Sequence, residues 1–334
     1  MKYKTLVVGC GAISNVWFSG LKNITDCEIA ALVDINIETA RAKRDTFALD
    51  CPVYDNFESA IIEIVPDVVC DLTYVACHRD VTIRALRFGA HVFGEKPMSI
   101  SREDSQAMLS AARENGKVYN VLQNRRYSSG IRGLRTAVNS GLLGPIWMTC
   151  CEIYVNADLG GARNTLEYPM LQDQAIHSFD SARFILGADA KTVFAHSYNP
   201  VGSPYRGDGS GACIYEMTDN STLVYNAVMG TNWLKTSWHS QWRVIGQYGT
   251  AMWNGFDKYA TAEILKDGNV ERVILEPDIA INDDDWHTYA IAEMFSDLAA
   301  GKTCSLNCFD NYGSVAMEYS AIDSIKSGQK VAVK

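Results

Sequence analysis

No stretch of the 334-residue sequence reaches the roughly 18 consecutive apolar residues that a membrane span demands. A basic stripe is missing too: the net charge of −9 is spread along the chain, so neither nucleic acid nor a membrane surface is an expected partner. Cysteine is plentiful at ten residues, yet no C-x-x-C pair occurs. The close pairs are Cys150-Cys151 and Cys304 with Cys308, and neither has histidines at the spacing of metal ligands. Reduced, mostly buried thiols and no metal are therefore expected. There is no internal repeat and no flexible linker. Met1-Lys2-Tyr3-Lys4 leads straight into a strand-like run, without charged leader, long apolar segment or cleavage site, which makes the cytoplasm the expected location. With 47% hydrophobic and 21% charged residues, the composition excludes a disordered chain, and the length points to two domains.

The run Lys4 to Val8 suits a buried parallel strand. It ends in Gly9-Cys10-Gly11-Ala12-Ile13-Ser14. Gly9 permits a tight turn, Gly11 lets backbone approach a pyrophosphate, and Ala12 to Leu21 supplies a helix whose N-terminal N–H groups favour the anion. Ser14 replaces the usual third glycine with another small residue. A second strand, Glu28 to Val33, delivers Asp34, a carboxylate able to accept both ribose hydroxyls and to repel a 2′-phosphate. No arginine follows at Ile35 or Asn36, so NAD is preferred over NADP.

Apolar strands near Asp67 to Leu72, His91 to Phe93 and Val118 to Leu122 alternate with helices at Asp80 to Phe88 and Ser101 to Asn115. Such alternation predicts an α/β Rossmann domain over residues 1–123. Ser101-x-x-Asp104 resembles a capping box, and Gly116 stands at the usual stop. The crevice at the strands' carboxyl ends puts Gly9, Asp34, Thr73 and Glu95 along one rim. Residues 124–334 read as an α+β substrate-binding and oligomerisation domain with a large, mainly antiparallel open sheet. Its expected strands are Ile146 to Asn156, Lys191 to Tyr198, Ala212 to Met217, Thr222 to Met229 and Gln241 to Gly246, with helices at Ile131 to Ser140, Leu171 to Leu186 and Asp285 to Ala300. Thr218-Asp219-Asn220 and Lys266-Asp267-Gly268-Asn269 read as hairpin turns. The basic cluster Arg125-Arg126 with Arg132 and Arg135 is expected to face cofactor phosphate or solvent.

Gly94-Glu95-Lys96-Pro97 follows on the fifth strand, putting Lys96 at the mouth of the nucleotide crevice. There an ammonium can stabilise an oxyanion that develops as hydride leaves carbon, although a solvent lysine in a turn has the same sequence. Pro97 holds Lys96 extended, and a cis bond between them is allowed. Asp173 and His177 stand four apart in a helical stretch, where side chains share a face. The imidazole suits a general base for a substrate hydroxyl, with Asp173 orienting it or binding substrate. The plain alternative is a surface Asp/His pair. A hydride acceptor, a cation beside it and a titratable pair form a complete set for carbinol oxidation.

Together these pieces resemble the Gfo/Idh/MocA oxidoreductases, the family of glucose–fructose oxidoreductase and inositol dehydrogenase. The likeness runs nearly end to end. It includes the Gly9 to Ser14 turn, Val33-Asp34, Thr73 with His78, Gly89-Ala90-His91-Val92-x-x-Glu95-Lys96-Pro97, Asn124-Arg125-Arg126-Tyr127, Asp173-x-x-x-His177-x-x-Asp180 and Gly246-x-x-Gly249-Thr250. The resemblance implies Lys96, Asp173 and His177 as the catalytic group. It puts Glu95 and the segment Gln123 to Arg125 close to the nicotinamide, with Gly9, Gly11, Ala12, Ile13, Asp34, Thr73, Tyr74 and His78 as further cofactor contacts. Tyr74 stands where the family often has proline, and Tyr168-Pro169-Met170-Leu171-Gln172 replaces a glycine-rich approach to the Asp/His helix.

Five of seven tryptophans fall late, at Trp233, Trp238, Trp242, Trp253 and Trp286. Aromatic faces beside hydrogen-bonding side chains suit a sugar ring or polyol, although sheet aromatics are more often core or interface. Tyr154, Asn156, Arg163 and His239 are the expected pocket residues beside Lys96, Asp173 and His177. The expected function is NAD-dependent hydride transfer between a nicotinamide and a secondary hydroxyl or ketone of a sugar, glycoside or cyclitol. Glycoside cleavage through transient oxidation is an alternative, and a catalytically silent sugar-responsive regulator is another. A homodimer or homotetramer through the open sheet is expected, because an apolar sheet face needs cover.

Overall fold

The computed structural model describes residues 2–156, 164–283 and 285–334. The chain divides into two compact units, residues 1–124 with 285–312, and residues 125–284 with 313–334. In the first unit β1 (Tyr3–Val8), β2 (Cys27–Val33), β3 (Val53–Tyr54), β4 (Val68–Asp71), β5 (His91–Gly94) and β6 (Tyr119–Val121) form one six-stranded sheet in the order β3-β2-β1-β4-β5-β6. Every pairing in it is parallel. The helices are α1 (Ser14–Leu21), α2 (Ile37–Thr46), α3 (Phe57–Ile64), α4 (Val75–Phe88) and α5 (Arg102–Asn115). Leu6, Val7, Val69, Cys70, Val92 and Phe93 are fully buried, as a sheet covered on both faces requires. The capping expected for α5 is present: Ser101 Oγ accepts from the Asp104 N–H at 3.1 Å, and Gly116 closes the helix at a φ of +61°.

The second unit opens with α6 (Ser129–Asn139) and β7 (Ile146–Val155), followed by α7 (Ile176–Leu186), β8 (Ala190–Tyr198), β9 (Ser210–Met217), β10 (Thr222–Met229), β11 (Gln241–Gly246), β12 (Gly249–Trp253), β13 (Ala260–Lys266) and β14 (Asn269–Leu275). These strands, with a short closing strand, make a nine-stranded sheet. Its pairings are antiparallel except for β7 with β10. Period-two alternation separates its faces. One row across the register runs Ala195, Cys213, Tyr225, Cys151, Trp242, Trp253, all buried in the core. The neighbouring row, Phe194, Ile214, Val224, Cys150, Arg243, Met252, Thr261, Ile274, points to the open face. Helix α7 covers the inner row, where Phe179 meets Tyr215 and Tyr225 edge-on at centroid distances of 5.2 and 5.1 Å. Gly130 lets α6 approach the same row, since a Cβ there would lie 2.0 Å from the Trp253 ring.

The chain then forms α8 (Trp286–Ala299) and α9 (Cys308–Ser327), and ends in β15 (Val331–Ala332), which pairs with β8. Helix α8 belongs to the first unit, which departs from the expected assignment of everything after residue 123 to the second. The cause is packing. Ile291 fills the space beside Gly20 of α1, Phe295 stacks edge-on against Phe93 at 5.0 Å, and the Val121 N–H donates to the Leu306 carbonyl at 2.9 Å. All ten cysteines are free thiols, and no helix among the described residues is long and apolar enough to cross a membrane.

Candidate functional site

In the first unit the end of β1 and the end of β2 are joined by hydrogen bonds. Gly9 takes a φ of +95° and sits so close to β4 that a Cβ would lie 2.6 Å from the Leu72 carbonyl oxygen. Gly11 is exposed and a Cβ there meets nothing within 4 Å, so the backbone before α1 is open to a ligand. Ala12 is exposed and Ile13 half-buried in the turn, while buried Ser14 donates its hydroxyl to the Gly11 carbonyl at 2.7 Å. Asp34 Oδ2 accepts from the Cys10 N–H at 2.8 Å, and Oδ1 from the Asn36 N–H at 2.9 Å. Each carboxylate oxygen retains a lone pair. Open backbone at a helix N-terminus beside a fixed carboxylate fits a dinucleotide's pyrophosphate and ribose.

Glu95 and Lys96 follow β5, and the Lys96–Pro97 bond is cis. Glu95 is 6% exposed. Its Oε1 accepts from Trp17 Nε1 at 2.6 Å, and its Oε2 from the Lys96 N–H at 3.1 Å. Trp17 of α1 thus fixes the residue before the lysine, a role no local motif announces. Lys96 itself is half-buried. His78 is buried, with Nε2 3.0 Å from the Thr73 carbonyl and Nδ1 2.9 Å from the Pro97 carbonyl. It therefore ties the Thr73 loop to the Glu-Lys-Pro loop. Thr73 is anchored through Oγ1 to Asp71 Oδ1 at 2.6 Å, and Tyr74 is 61% exposed. Gln123 is buried, and the neighbouring Asn124 reaches His287 of α8, Nδ2 to Nε2, at 3.3 Å.

In the second unit Asp173 and His177 stand on consecutive stretches of different pitch. Met170–Ala175 is a π-helical turn that passes into α7 at Ile176. The wider turn changes the offset between them, a correction to the continuous α-helical stacking expected; such turns concentrate at functional sites. Asp173 is half-exposed and His177 buried. The guanidinium of Arg125 donates to the side-chain oxygen of Gln174 at 2.8 and 3.1 Å. Burial pulls Arg125 down to about 10, opposed by Cys151, Tyr225 and Asp173, so the group remains a cation at neutral pH. Burial also lowers His239 to about 3, with Arg125 adding repulsion, and that imidazole is neutral. Asp173 and His239 are thus each brought into electrostatic range of Arg125.

Tyr154 lies on the half-exposed face of β7, alternating with buried Ile153 and Val155, and Glu152 and Tyr198 act on its hydroxyl. Strand alternation puts it on the side opposite Cys151. Asn156 is exposed and donates to Asn232 Oδ1 at 2.6 Å. Arg163 lies outside the described residues. Arg126, Arg132 and Arg135 of the basic cluster turn to protein partners, a correction to the solvent exposure expected of them. Arg126 makes a buried two-point pair with Asp180 at 2.7 and 2.6 Å, Arg132 pairs with Asp278 at 2.9 Å, and Arg135 donates to the Phe184 carbonyl. All three guanidinium groups lie over the Phe184 ring, at 5.3, 5.5 and 4.1 Å from its centroid. Among the described residues, one group of metal-ligand type, Glu293, Asp297 and Cys304, has its donor atoms within 4.8 Å of one another. Its thiol hydrogen-bonds to Glu293.

Comparison with known proteins gives two family matches. Residues 3–123 match the model described as the oxidoreductase family with an NAD-binding Rossmann fold. Residues 131–252 match the GFO/IDH/MocA C-terminal domain. An uncharacterised protein of Sinorhizobium fredii, y4oX, is 25% identical over all of this chain and 96% of its own length. The D-glucoside 3-dehydrogenase of Escherichia coli is 28% identical over 60% of this chain, which spans 59% of that relative. Among solved structures, levoglucosan dehydrogenase in complex with NADH superposes with a TM-score of 0.89 over 100% of both chains at 16% identity, a likeness of fold.

Proposed function

The chain belongs to the Gfo/Idh/MocA oxidoreductase family, and on that premise we propose that it transfers hydride between the nicotinamide of NAD and a secondary hydroxyl or ketone of a sugar, glycoside or cyclitol. The observation that carries this is the joined turn and acid, Gly9 held against Leu72 and the Asp34 carboxylate held on the Cys10 N–H. Asp34 then takes the ribose hydroxyls and disfavours a 2′-phosphate, which supports NAD over NADP. The names of the E. coli relative and of the levoglucosan enzyme support a carbohydrate substrate.

Bound NAD supplies the hydride acceptor. In the proposed mechanism His177 takes the proton of the substrate hydroxyl, and Asp173 orients the imidazole or holds substrate. The Lys96 ammonium stabilises negative charge growing on the substrate oxygen as the C–H bond breaks. Arg125 and neutral His239 are further polar groups of the second unit. A second copy of the chain is the proposed cover for the open face of the nine-stranded sheet.

The test is a panel of sugars, glycosides and cyclitols incubated with purified protein and NAD, read by NADH absorbance. Accumulating NADH with one class of polyol is the expected result. Lys96→Ala should then lower kcat by about 10²–10³, the scale of losing one oxyanion stabiliser. Glycoside consumption without any NADH, or full turnover by Lys96→Ala, would contradict the reading.

A further inference from the structure

Helix α8 contributes to the first unit a residue that none of the sequence motifs contains. Its first turn carries His287, whose Nε2 lies 3.3 Å from Asn124 Nδ2. An amide nitrogen offers only hydrogens, so the contact requires a lone pair on Nε2 and leaves the ring proton on Nδ1. Gln123, next in the chain, is 1% exposed with its Nε2 unpartnered. The charged groups that act on the ring are Glu95 and Lys96. The same small region thus holds the end of β5, the end of β6 and the start of α8. Every group in it lies within one compact unit.

We propose that His287 is a positioning residue of the nucleotide site, holding the Asn124 carboxamide and with it the Gln123–Asn124 segment in the shape that receives the nicotinamide end of the dinucleotide. This rests on the family reading of the first unit as the NAD-binding one. The ring is suited to it: burial lowers the imidazole from its ordinary value, Glu95 opposes that and Lys96 adds to it. At neutral pH the ring therefore keeps the lone pair that the amide needs. A protonated ring presents N–H to N–H and loses the contact. His287 needs to touch neither hydride nor substrate to matter; a shifted Asn124 displaces the segment beside Lys96.

The experiment compares the whole chain with His287→Phe, which keeps ring volume without an acceptor, and His287→Gln, whose Oε1 can reach the place of Nε2. Asn124→Ala removes the other partner. NADH affinity by titration calorimetry and Tm are read for each. His287→Phe and Asn124→Ala should each weaken NADH about tenfold, the scale of one net hydrogen bond. His287→Gln should stay within about threefold of the unaltered chain. The double variant Asn124→Ala/His287→Phe should be no weaker than either single one, the signature of a shared interaction. All should keep Tm within about 2 °C, a small change for a chain of this size. Equal affinities for unaltered protein and His287→Phe, equal loss in Phe and Gln variants, or additive losses in the double variant would each overturn the proposal alone. If His287→Phe does not fold, Asn124→Ala and His287→Gln still give the comparison. An unaltered chain that takes up no NADH sinks the nucleotide reading itself, and this proposal with it.

Discussion

At the residue scale, the groups that were legible were those whose chemistry is written in local order. Gly9 and Asp34 stand where strand, turn and strand predict them, and their joint hydrogen bonding turns a motif into a rigid feature. Replacing Asp34 by Ser removes the carboxylate, so NAD should bind about tenfold more weakly while NADP gains relative to it, measured by calorimetry with both cofactors. Residues brought in by packing were not legible. Trp17 and Gln174 lie in sequence among ordinary core positions, and only the fold puts them against Glu95 and Arg125. His239 gives a sharper test. Its folded value of about 3 lies below the ordinary 6.5, so the unfolded chain binds the proton first as pH falls. The stability that neutral His239 contributes is complete above about pH 6.5 and is lost on acidification toward pH 3, by at most about 1.4 kcal/mol per pH unit. Between pH 7 and pH 5 the unaltered chain should lose about 2 kcal/mol more than His239→Gln, by urea unfolding. Parallel pH profiles would refute the assignment.

At the element scale, strands with strong alternation and helices with conventional ends were read within a few residues. Helix α5 has Ser101 and Gly116 as its signals. Helix α4 begins at Val75, five residues before its expected start at Asp80, because its N-cap, Tyr74, makes no side-chain cap and carries no recognisable start signal. Strands β12, β13 and β14 went unread, although the turn Asp267-Gly268 that joins the last two was recognised. Exposed residues along β14 blur its alternation. The π turn before α7 has no sequence signature at all. Close packing between elements makes its own prediction. Gly130→Ala improves helix propensity but drives a methyl into the Trp253 ring. It should destabilise by about 1–3 kcal/mol in denaturant unfolding, where an exposed helix glycine would gain stability.

At the scale of the whole molecule, chain order misled at one place. A segment near the end, 285–312, completes the first unit, and nothing in its composition announces which unit it joins. The open sheet face was foreseen as an apolar surface, and the register now names its residues. Phe194 and Ile214 are adjacent on neighbouring strands and 46% and 49% exposed, and Met252 in the same row is 36% exposed. A patch of this kind is what the proposed self-association would cover. Sedimentation at micromolar concentration should give a dimer or tetramer, and Ile214→Lys should shift it toward monomer with the dinucleotide affinity retained. A monomer in the unaltered chain contradicts the proposed self-association.

The hydrogen bond from Trp17 to Glu95 also makes the nucleotide unit self-reporting. A buried indole that shares its proton with a carboxylate emits according to the charge and polarity around that carboxylate, and its emission overlaps the absorption of reduced nicotinamide. Subtracting the spectrum of a Trp17→Phe protein isolates that single emitter from the other six tryptophans. Loading of the cofactor can then be followed optically, in real time, from the indole held against the residue before the lysine.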